Sequence, residues 1–316
     1  MSTQSWSYDA PSGVYKNHAL SSDIRFASIA MTKFMQFSRP VSGYGSKDGS
    51  NVTITRVSNV AVPSDDSLVE LERIPEDTFS LSTQAIAVVE RGRAIPYTSL
   101  SKDLSFFDIE NAIQRKLRDQ LSLRMDQLCA TAFKVGQVKG TPDGMASITF
   151  TTNGAANGTA SVNLNVYHVE QIRDQLFSTY HVMPYAGEDY VALVSTKAAR
   201  GIKRDPNWEK WKTYGEQDAK FNGEIGRIEG VRFIESNNTN ALSGSLGASS
   251  VLGEAVFFGD DPVAMASALD PELRAKESED YGRSKGIAWY GQYGFDQIWK
   301  DSANDGEARV IHVTSL

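Results

Sequence analysis

The longest stretch of regular hydrophobic spacing in the chain lies between residues 101 and 133. Apolar side chains recur there every three or four residues, at Ile109, Ile113, Leu117, Leu121, Met125, Leu128 and Ala132. This period belongs to one face of an α-helix and predicts a helix from about Asp103 to Lys134. At roughly 1.5 Å per residue such a helix is about 40 Å long. Asp103 or Ser105 is its predicted N-cap.

Only about a quarter of the circumference of this helix is continuously apolar. Charged side chains occupy the predicted outer face, at Arg115, Lys116, Arg118, Asp119 and Arg124. The pattern is typical of a helix that lies across a sheet or another subunit and is not surrounded by a core. We call this segment the spine helix.

Helical spacing is weaker elsewhere. It predicts helices over residues 23–37, 164–180 (capped by Asn163 or Asn165), 196–203, 206–214 and about 262–269. Residues 1–19 are polar and aromatic without a period, which indicates an arm that lies on an external surface.

Alternating or continuous apolar runs predict the strands. They cover residues 51–60, 79–90, 94–98, 147–152, 190–195, 222–236, 254–259, 285–295 and 308–314. The run Tyr190–Ser195 is apolar throughout, as expected for a strand covered on both faces. Residues 237–250 are small and polar and predict an exposed, mobile loop.

The region from Val52 to Glu90 predicts a hairpin that projects from the body. Its connecting segment is hydrophilic, and Glu70, Glu72, Glu76 and Asp77 form a carboxylate cluster that we interpret as a solvated face. A projecting hairpin has little stability alone and needs a neighbouring chain to pack against. This is the first indication of an assembly subunit.

The charge, the apolar runs and the cysteine content argue against several classes of protein. The chain has 316 residues and a formal charge of −7 without long runs of one sign, which argues against a protein that grips nucleic acid through a basic patch. No apolar run approaches the roughly 18 residues that span a bilayer, and no secretion signal is present. We therefore expect a protein that does not enter a membrane and that stays in the cytoplasm of the producing cell or leaves it by lysis. The single cysteine, Cys129, is expected to be a buried small hydrophobe.

No chemical motif stands out. The histidines His18, His168, His181 and His312 lie in different elements without metal-ligand spacing, so we expect a structural role for each. The segment Gly282–Gly286 (GRSKG) is interpreted as a turn and not as a phosphate cradle, because a strand follows it. The sequence therefore predicts no catalytic, cofactor-binding or metal-binding residue, no cofactor and no enzyme.

Glycine-punctuated and aromatic strands carry a resemblance to a known family. The segments are Gly223–Arg232 (GEIGRIEGVR), the following Ile234–Ser236, Arg91–Thr98 (RGRAIPYT) and the aromatic strand Ile287–Phe295. Together with the order of elements around one long helix, they resemble the major capsid proteins of tailed bacteriophages. The resemblance implies an α+β chain with the Hong Kong 97-type capsid fold.

The resemblance also implies a domain organisation. Residues 1–50 would form an N-terminal arm and first helix, residues 51–102 an extended loop hairpin, residues 103–163 and 251–316 a peripheral domain with the spine helix, and residues 164–250 an axial domain.

As a family member, the chain would self-assemble into pentamers and hexamers that form an icosahedral head shell. The shell would enclose double-stranded DNA without sequence-specific binding, and its location would be the virion, after assembly in the bacterial host cytoplasm. A separate scaffolding protein, a portal and a possible decoration protein are the implied partners. Two alternatives remain open at this point, namely an encapsulin-like compartment shell and a soluble acid-base enzyme.

Overall fold

The computed structural model describes residues 27–41, 49–68, 70, 73–105, 108–155, 160–206, 224–246, 252–277 and 279–316. The helices in these residues are α1 (Ser99–Leu104), α2 (Ile109–Lys134), α3 (Val166–Asp174) and α4 (Thr196–Lys203). The strands are β1 (Ser38–Pro40), β2 (Asn51–Val57), β3 (Leu81–Ala87), β4 (Val89–Thr98), β5 (Lys139–Gly144), β6 (Ser147–Thr151), β7 (Tyr190–Ser195), β8 (Glu224–Ile228), β9 (Val231–Ser236), β10 (Gly253–Phe258), β11 (Val263–Ala275), β12 (Ser284–Asp296) and β13 (Val310–Ser315). Short 3-10 turns occupy Met35–Phe37 and Asp280–Gly282, and α3 continues into a π-turn over Gln175–Thr179.

The described strands form three sheets. A seven-stranded sheet has the order β6-β5-β13-β10-β7-β9-β8, a four-stranded sheet has the order β1-β11-β12-β4, and β2 pairs with β3 alone. Strands β7, β10 and β13 lie at the centre of the large sheet and are buried along their whole length. The prediction that Tyr190–Ser195 is a strand covered on both faces is confirmed.

The spine helix is α2, with 26 residues. Its N-cap is Asp108, whose side chain accepts hydrogen bonds from the backbone N–H groups of Glu110 and Asn111. The predicted caps, Asp103 and Ser105, are wrong, because residues 99–104 form the separate helix α1 with its own cap at Thr98. The predicted end of the spine at Lys134 is confirmed.

The spine helix crosses from one sheet to the other. Leu117 lies in a cluster with Ile287 and Trp289 of β12, so this part of the helix covers the four-stranded sheet. Its last turns insert Cys129 and Phe133 into a core shared with the large sheet. Of the seven predicted apolar positions, only Leu117 and Ala132 are fully buried, and the other five are half-buried. The predicted burial of Cys129 is confirmed, and this burial raises the pKa of its thiol.

The predicted first helix over residues 23–37 is wrong for the described residues, which have no regular secondary structure from residue 27 until the short 3-10 turn at Met35–Phe37. The reason is that side chains satisfy the backbone of this segment. Asp126 accepts hydrogen bonds of 2.8 Å from the N–H groups of both Lys33 and Phe34. The N–H of Met31 donates to Asn237 Oδ1 at 2.8 Å. Helical hydrogen bonds are therefore not needed here.

The helix predicted near residues 262–269 is also wrong, because this segment belongs to β11. That strand pairs with β1 on one side and with β12 on the other. Its sequence, VAMASALDPELRA, is rich in residues that favour helices. Pairing on both sides outweighs this weak local preference.

The predicted exposed loop over residues 237–250 is partly wrong. Ala241, Leu242 and Asn238 are buried, and the first two belong to the core that contains Phe133. Asn238 Nδ2 donates to Asp126 Oδ2 at 2.9 Å, so this loop is tied to the spine helix.

The boundary between the predicted strands 79–90 and 94–98 lies elsewhere in the structure. The two strands are separated at Val88 and not between residues 90 and 94, so β4 runs unbroken from Val89 to Thr98. At this point β12 approaches the hairpin so closely that a Cβ on Gly294 would lie 2.0 Å from the carbonyl oxygen of Ala87.

Most other predicted elements are confirmed. Helix α3 is capped by Asn165, one of the two predicted caps, and α4 has the predicted bounds. The turn between β8 and β9 places Glu229 and Gly230 at φ 49° and 71°, a conformation that favours glycine. The predicted arm over residues 1–19, and the helix over 206–214 beyond residue 206, lie outside the described residues.

We predict that Asp126→Ala destabilises the subunit by about 2–4 kcal/mol, because it leaves two backbone N–H groups and the Asn238 amide buried without an acceptor. Urea unfolding of the dissociated subunit measures this effect. Asp119→Ala is the matched control on the same helix, since Asp119 makes only a 3.5 Å pair with Lys116 at the surface, and its cost should stay below about 0.5 kcal/mol. Equal costs for the two variants would show that Asp126 has no special role.

Candidate assembly surfaces

The strands of the β2–β3 hairpin are held to the body of the molecule. Val52 and Ile86 are buried against β11. Further along β2, Arg56 donates a 2.8 Å hydrogen bond to the carbonyl of Ile298, and its guanidinium lies 5.2 Å from the centre of the Trp299 ring. The region that extends away from the body is therefore the connection between the strands, and not the whole of the predicted hairpin over residues 52–90.

We call residues 59–80 the acidic loop. Every described residue in it is exposed. The loop contains six acidic residues, Asp65, Asp66, Glu70, Glu72, Glu76 and Asp77, and a single basic residue, Arg73. Large apolar side chains are exposed alongside them, at Val60, Val62, Leu68, Ile74 and Phe79.

The exposure of these apolar side chains is high, with Val62 at 92% and Leu68, Ile74 and Phe79 at 63–64%. Isolated exposed apolar side chains are common on soluble proteins, but a series of them on one segment marks an interaction surface. The predicted carboxylate cluster is exposed where the structure describes it, at Glu70, Glu76 and Asp77.

A groove of about 660 Å³ lies between the spine helix and the four-stranded sheet. We call it the arginine groove. It is lined by Glu90, Arg91, Gly92 and Arg93 of β4, by Gln120, Leu123, Arg124 and Gln127 of α2, and by Trp289 of β12.

Three arginines dominate the charge of this groove. Arg93 and Arg124 are exposed, and the Arg91 guanidinium lies 5.8 Å from the centre of the Tyr293 ring. The Nε of Arg91 is buried without a hydrogen-bond acceptor. Within the described part of the chain none of the three forms an ion pair, so the groove presents uncompensated positive charge beside the single carboxylate of Glu90.

A buried charged cluster joins the end of the spine helix to the large sheet. Glu254 of β10 accepts hydrogen bonds from Lys134 Nζ at 3.2 Å and from the N–H of Ser243 at 2.6 Å. His312 of β13 donates to its other oxygen at 3.1 Å. Burial alone would raise the pKa of Glu254, but the His312 hydrogen bond and the Lys134 charge leave it below its ordinary value. Burial lowers the pKa of the adjacent Lys139 to about 8.

A second buried ion network fixes the β8–β9 hairpin, the segment that carries the sequence resemblance. Arg232 Nε donates to Asp189 at 2.8 Å, and its Nη1 donates to Glu224 at 2.9 Å. All three side chains are at most 6% exposed. Arg227, whose side chain is 54% exposed, adds a 2.6 Å contact to the same aspartate. Arg227 and Arg232 therefore tie the β8–β9 hairpin to Asp189, the residue that precedes β7.

Three of the four histidines lie in the described residues, and each has a defined partner. His168 accepts a hydrogen bond from the N–H of Asn165 through Nδ1 and donates one to the carbonyl of Gly144 through Nε2. His181 pairs with Asp305 at 2.7 Å on the surface. The GRSKG segment is a turn at residue 282, where glycine has a φ of 88°, and then enters β12.

The described residues were also compared with the requirements of a metal site and of a membrane-spanning helix. Among the described residues no group of three or more His, Cys, Asp or Glu side chains is arranged to hold a metal ion. In the same residues no helix combines the length and the apolar character needed to cross a membrane.

The acidic loop was visible in the sequence as a polar hairpin, whereas the arginine groove was not. The lining of the arginine groove comes from three segments that are far apart in sequence, at positions 90–93, 120–127 and 289. The only local signal is the Arg91-Gly92-Arg93 triplet, which does not indicate a groove by itself.

The comparison with known proteins finds structural similarity only. No protein-family model and no curated protein sequence matches the chain. The capsid of Ralstonia phage GP4 is 15% identical with a TM-score of 0.68, and 95% of this chain and 94% of that one are covered. The head structure of Helicobacter pylori bacteriophage KHP40 is 11% identical with a TM-score of 0.70 and 95% coverage of both chains. The cyanophage Pam1 capsid is 13% identical with a TM-score of 0.70, at 95% and 96% coverage.

At these low identities the similarity establishes the fold. The chain has the α+β fold of tailed-phage capsid proteins over nearly its whole length. The fold class inferred from the sequence is confirmed, and this likeness in fold agrees with the resemblance noted in the sequence.

We predict that acid destabilises the subunit through His312. Burial, together with the charges of Lys139 and Lys134, lowers the pKa of this histidine despite its bond to Glu254, and its Nδ1 has no acceptor for a second proton. In the unfolded chain His312 binds a proton more readily than in the folded chain. The contribution of His312 to stability is therefore fully present above its unfolded pKa of roughly 6.5 and is lost as the pH falls below that value. His312→Gln should therefore reduce the fall in the thermal unfolding midpoint between about pH 7 and about pH 5.

The matched control is His181→Gln, which replaces an exposed histidine. It should leave the pH dependence of the midpoint nearly unchanged. A steep acid-induced loss that persists in His312→Gln would remove His312 as the cause.

Proposed function

We propose that this chain is the major capsid protein of a tailed bacteriophage. It is a structural protein and not an enzyme, and it self-assembles into pentamers and hexamers that form an icosahedral head shell enclosing double-stranded DNA. The observation that carries the proposal is the end-to-end similarity to phage capsid and head structures, with 94–96% of those chains covered.

The surfaces of the isolated chain support the proposal. The acidic loop exposes large apolar side chains, and the arginine groove exposes cations without carboxylate partners in the described residues. Both features are unfavourable for a subunit that stays alone and favourable for one that packs against copies of itself. Many weak contacts of this kind add up in a closed symmetric shell.

The domain organisation is part of the proposal. Residues 1–50 would be the arm and first segment, 51–102 the extended loop, 103–163 and 251–316 the peripheral domain, and 164–250 the axial domain. The seven-stranded sheet includes strands from both the peripheral and the axial ranges, so the two domains would share it.

The overall charge of −7 is compatible with a shell that encloses DNA and makes few phosphate contacts. We propose a separate scaffolding protein and a portal as partners, with a decoration protein as a further one. The location would be the virion, after assembly in the host cytoplasm.

The alternatives considered from the sequence are not favoured. The structures named above are phage capsids or heads, which does not favour an encapsulin-like compartment. A soluble acid-base enzyme is not favoured either, because the buried carboxylates of Asp126 and Glu254, whose pKa values are shifted, serve as structural hydrogen-bond partners.

We predict that the chain, expressed with its scaffolding protein, forms angular shells visible by electron microscopy. Particles isolated from infected cells should contain nuclease-resistant DNA. Small uniform cages without DNA would support a compartment shell instead, and a monodisperse monomer at high concentration with scaffold present would contradict the proposal.

A further inference from the structure

We propose that the arginine groove binds the phosphate groups of a phosphate ester, namely a nucleotide or the backbone of DNA. The two sources share one chemistry, and the experiment below separates them. The inference goes beyond the proposed function, because residues of a single copy of the chain line the groove. A dissociated subunit therefore has the complete site.

Two buried polar atoms at the groove have no hydrogen-bond partner. One is the Nε of Arg91, and the other is the hydroxyl of Tyr293, a residue with no exposed surface. The two side chains are neighbours, because the Arg91 guanidinium lies 5.8 Å from the centre of the Tyr293 ring. Both groups donate hydrogen bonds, and an unpaired buried donor costs free energy. A ligand with acceptor oxygens would satisfy both.

The pairing of β4 with β12 puts these donors on one face of the sheet. Arg91 lies opposite Gly291, and Arg93 lies opposite Trp289. Side chains alternate along a strand, so both arginines project on the face that carries Trp289 and Tyr293. The spine helix covers this face, because Trp289 belongs to the same cluster as Leu117 of α2.

The charge of the groove is not compensated from within the described residues. Glu90 is adjacent to Arg91 in β4, so its side chain projects on the opposite face of the sheet, where Gln292 is its partner in register. Burial raises the pKa of Tyr293, while the charges of Arg91 and Arg124 act in the opposite direction, which places both guanidinium groups near its hydroxyl. A bound phosphate group would supply the counter-charge that the isolated subunit lacks.

The spine helix provides the opposite wall of the groove. Its lining residues are spaced three, one and three positions apart and therefore share one helix face, at Gln120, Leu123, Arg124 and Gln127. The Oε1 of Gln120 accepts a 3.0 Å hydrogen bond from Trp289 Nε1, so the amide NH2 of Gln120 remains available as a donor. Hydrogen-bond donors are thus present on both walls.

A phosphate group fits this arrangement better than a carboxylate. A phosphate monoester carries a charge of about −1.5 to −2 and three strong acceptor oxygens, whereas a carboxylate carries one charge and two oxygens. Three guanidinium groups in one groove match the larger charge and the larger number of acceptors. The volume of about 660 Å³ also leaves room for more than one phosphate group.

Isothermal titration calorimetry of the dissociated subunit tests the site. The probes are inorganic triphosphate, a short DNA duplex and citrate, each in magnesium-free buffer at low salt. We expect saturable binding of triphosphate and a higher thermal unfolding midpoint in its presence, because the ligand binds only the folded chain.

Tyr293→Phe removes only the buried hydroxyl. That group has no partner in the free subunit, so the thermal unfolding midpoint should stay near that of the unaltered chain or rise slightly. The affinity for triphosphate should fall about threefold to tenfold, as expected for one lost hydrogen bond. A lower midpoint with unchanged affinity would give the hydroxyl a structural role and would overturn the inference.

Arg93→Gln/Arg124→Gln removes two exposed cations from the groove. It should weaken triphosphate binding at least about tenfold, because two charge-assisted contacts are lost. The matched control is Arg118→Gln/Arg200→Gln, which removes the same charge at two other exposed positions and should leave the affinity within about threefold. Equal losses in the two variants would mean nonspecific attraction to charge and would also overturn the inference.

The duplex and citrate identify the source of the bound group. If the source is DNA, the duplex should bind, and Arg93→Gln/Arg124→Gln should reduce the salt dependence of that binding by about two phosphate contacts. Binding of triphosphate without binding of the duplex would assign the site to a nucleotide. Citrate binding as tight as that of triphosphate would assign the groove to carboxylates and would contradict the proposal.

Absence of binding of both triphosphate and duplex to the unaltered chain would overturn the inference and leave the proposed function standing. Failure of the unaltered chain to form shells with its scaffolding protein would instead count against the proposed function, and the phosphate site of the single subunit would be unaffected.

Discussion

The buried carboxylate of Asp126 links three parts of the chain that are far apart in sequence. It has no exposed surface, and it accepts hydrogen bonds from the backbone of residues 33 and 34 and from the side chain of Asn238. Burial raises the pKa of Asp126, while these hydrogen bonds act in the opposite direction. A carboxylate in such a place is retained only with its donors in position, because an unpaired charge in the interior is costly. The N-terminal segment, the spine helix and the loop after β9 therefore adopt one mutual arrangement.

This arrangement explains why the spine helix can connect two sheets. Its last turns lie in a core of aromatic rings, where Phe133 packs 5.5 Å from Phe34 and 5.0 Å from Phe258. The side chain of Gln297 donates to the carbonyls of Ala132 and Phe133, which would otherwise be unsatisfied at the helix end. The helix is thus held firmly at one end and covers the four-stranded sheet along the rest. Its outer side forms one wall of the arginine groove, so the same element supports the core and the surface offered to a neighbour.

The two assembly surfaces differ in how far they could be predicted. The acidic loop was evident as a polar connection with clustered carboxylates, since charge and turn residues are local properties. The apolar residues within it gained meaning only when the structure showed them exposed. The arginine groove could not be predicted, because Arg93, Arg124 and Trp289 come together only through the pairing of β4 with β12 and the packing of α2 on that sheet. The role of Asp126 could not be predicted for a related reason. Near the end of the spine helix the buried face shifts to the side that carries Cys129, Ala130 and Phe133, and Asp126 lies on that side.

Sequence alone determined those features that depend on neighbouring residues. The period of the spine helix, the apolar run of β7, the Asn165 cap and the capsid-like order of elements were all present in the local pattern. Tertiary structure decided what depends on distant partners. Residues 263–275 became a strand because β12 pairs along most of their length and β1 pairs with residues 263–265 on the other side. Residues 27–34 did not form a helix because Asp126 and Asn237 accept hydrogen bonds from backbone N–H groups in this segment. Local preferences differ by fractions of about 1 kcal/mol per residue, so such long-range pairing overrides them.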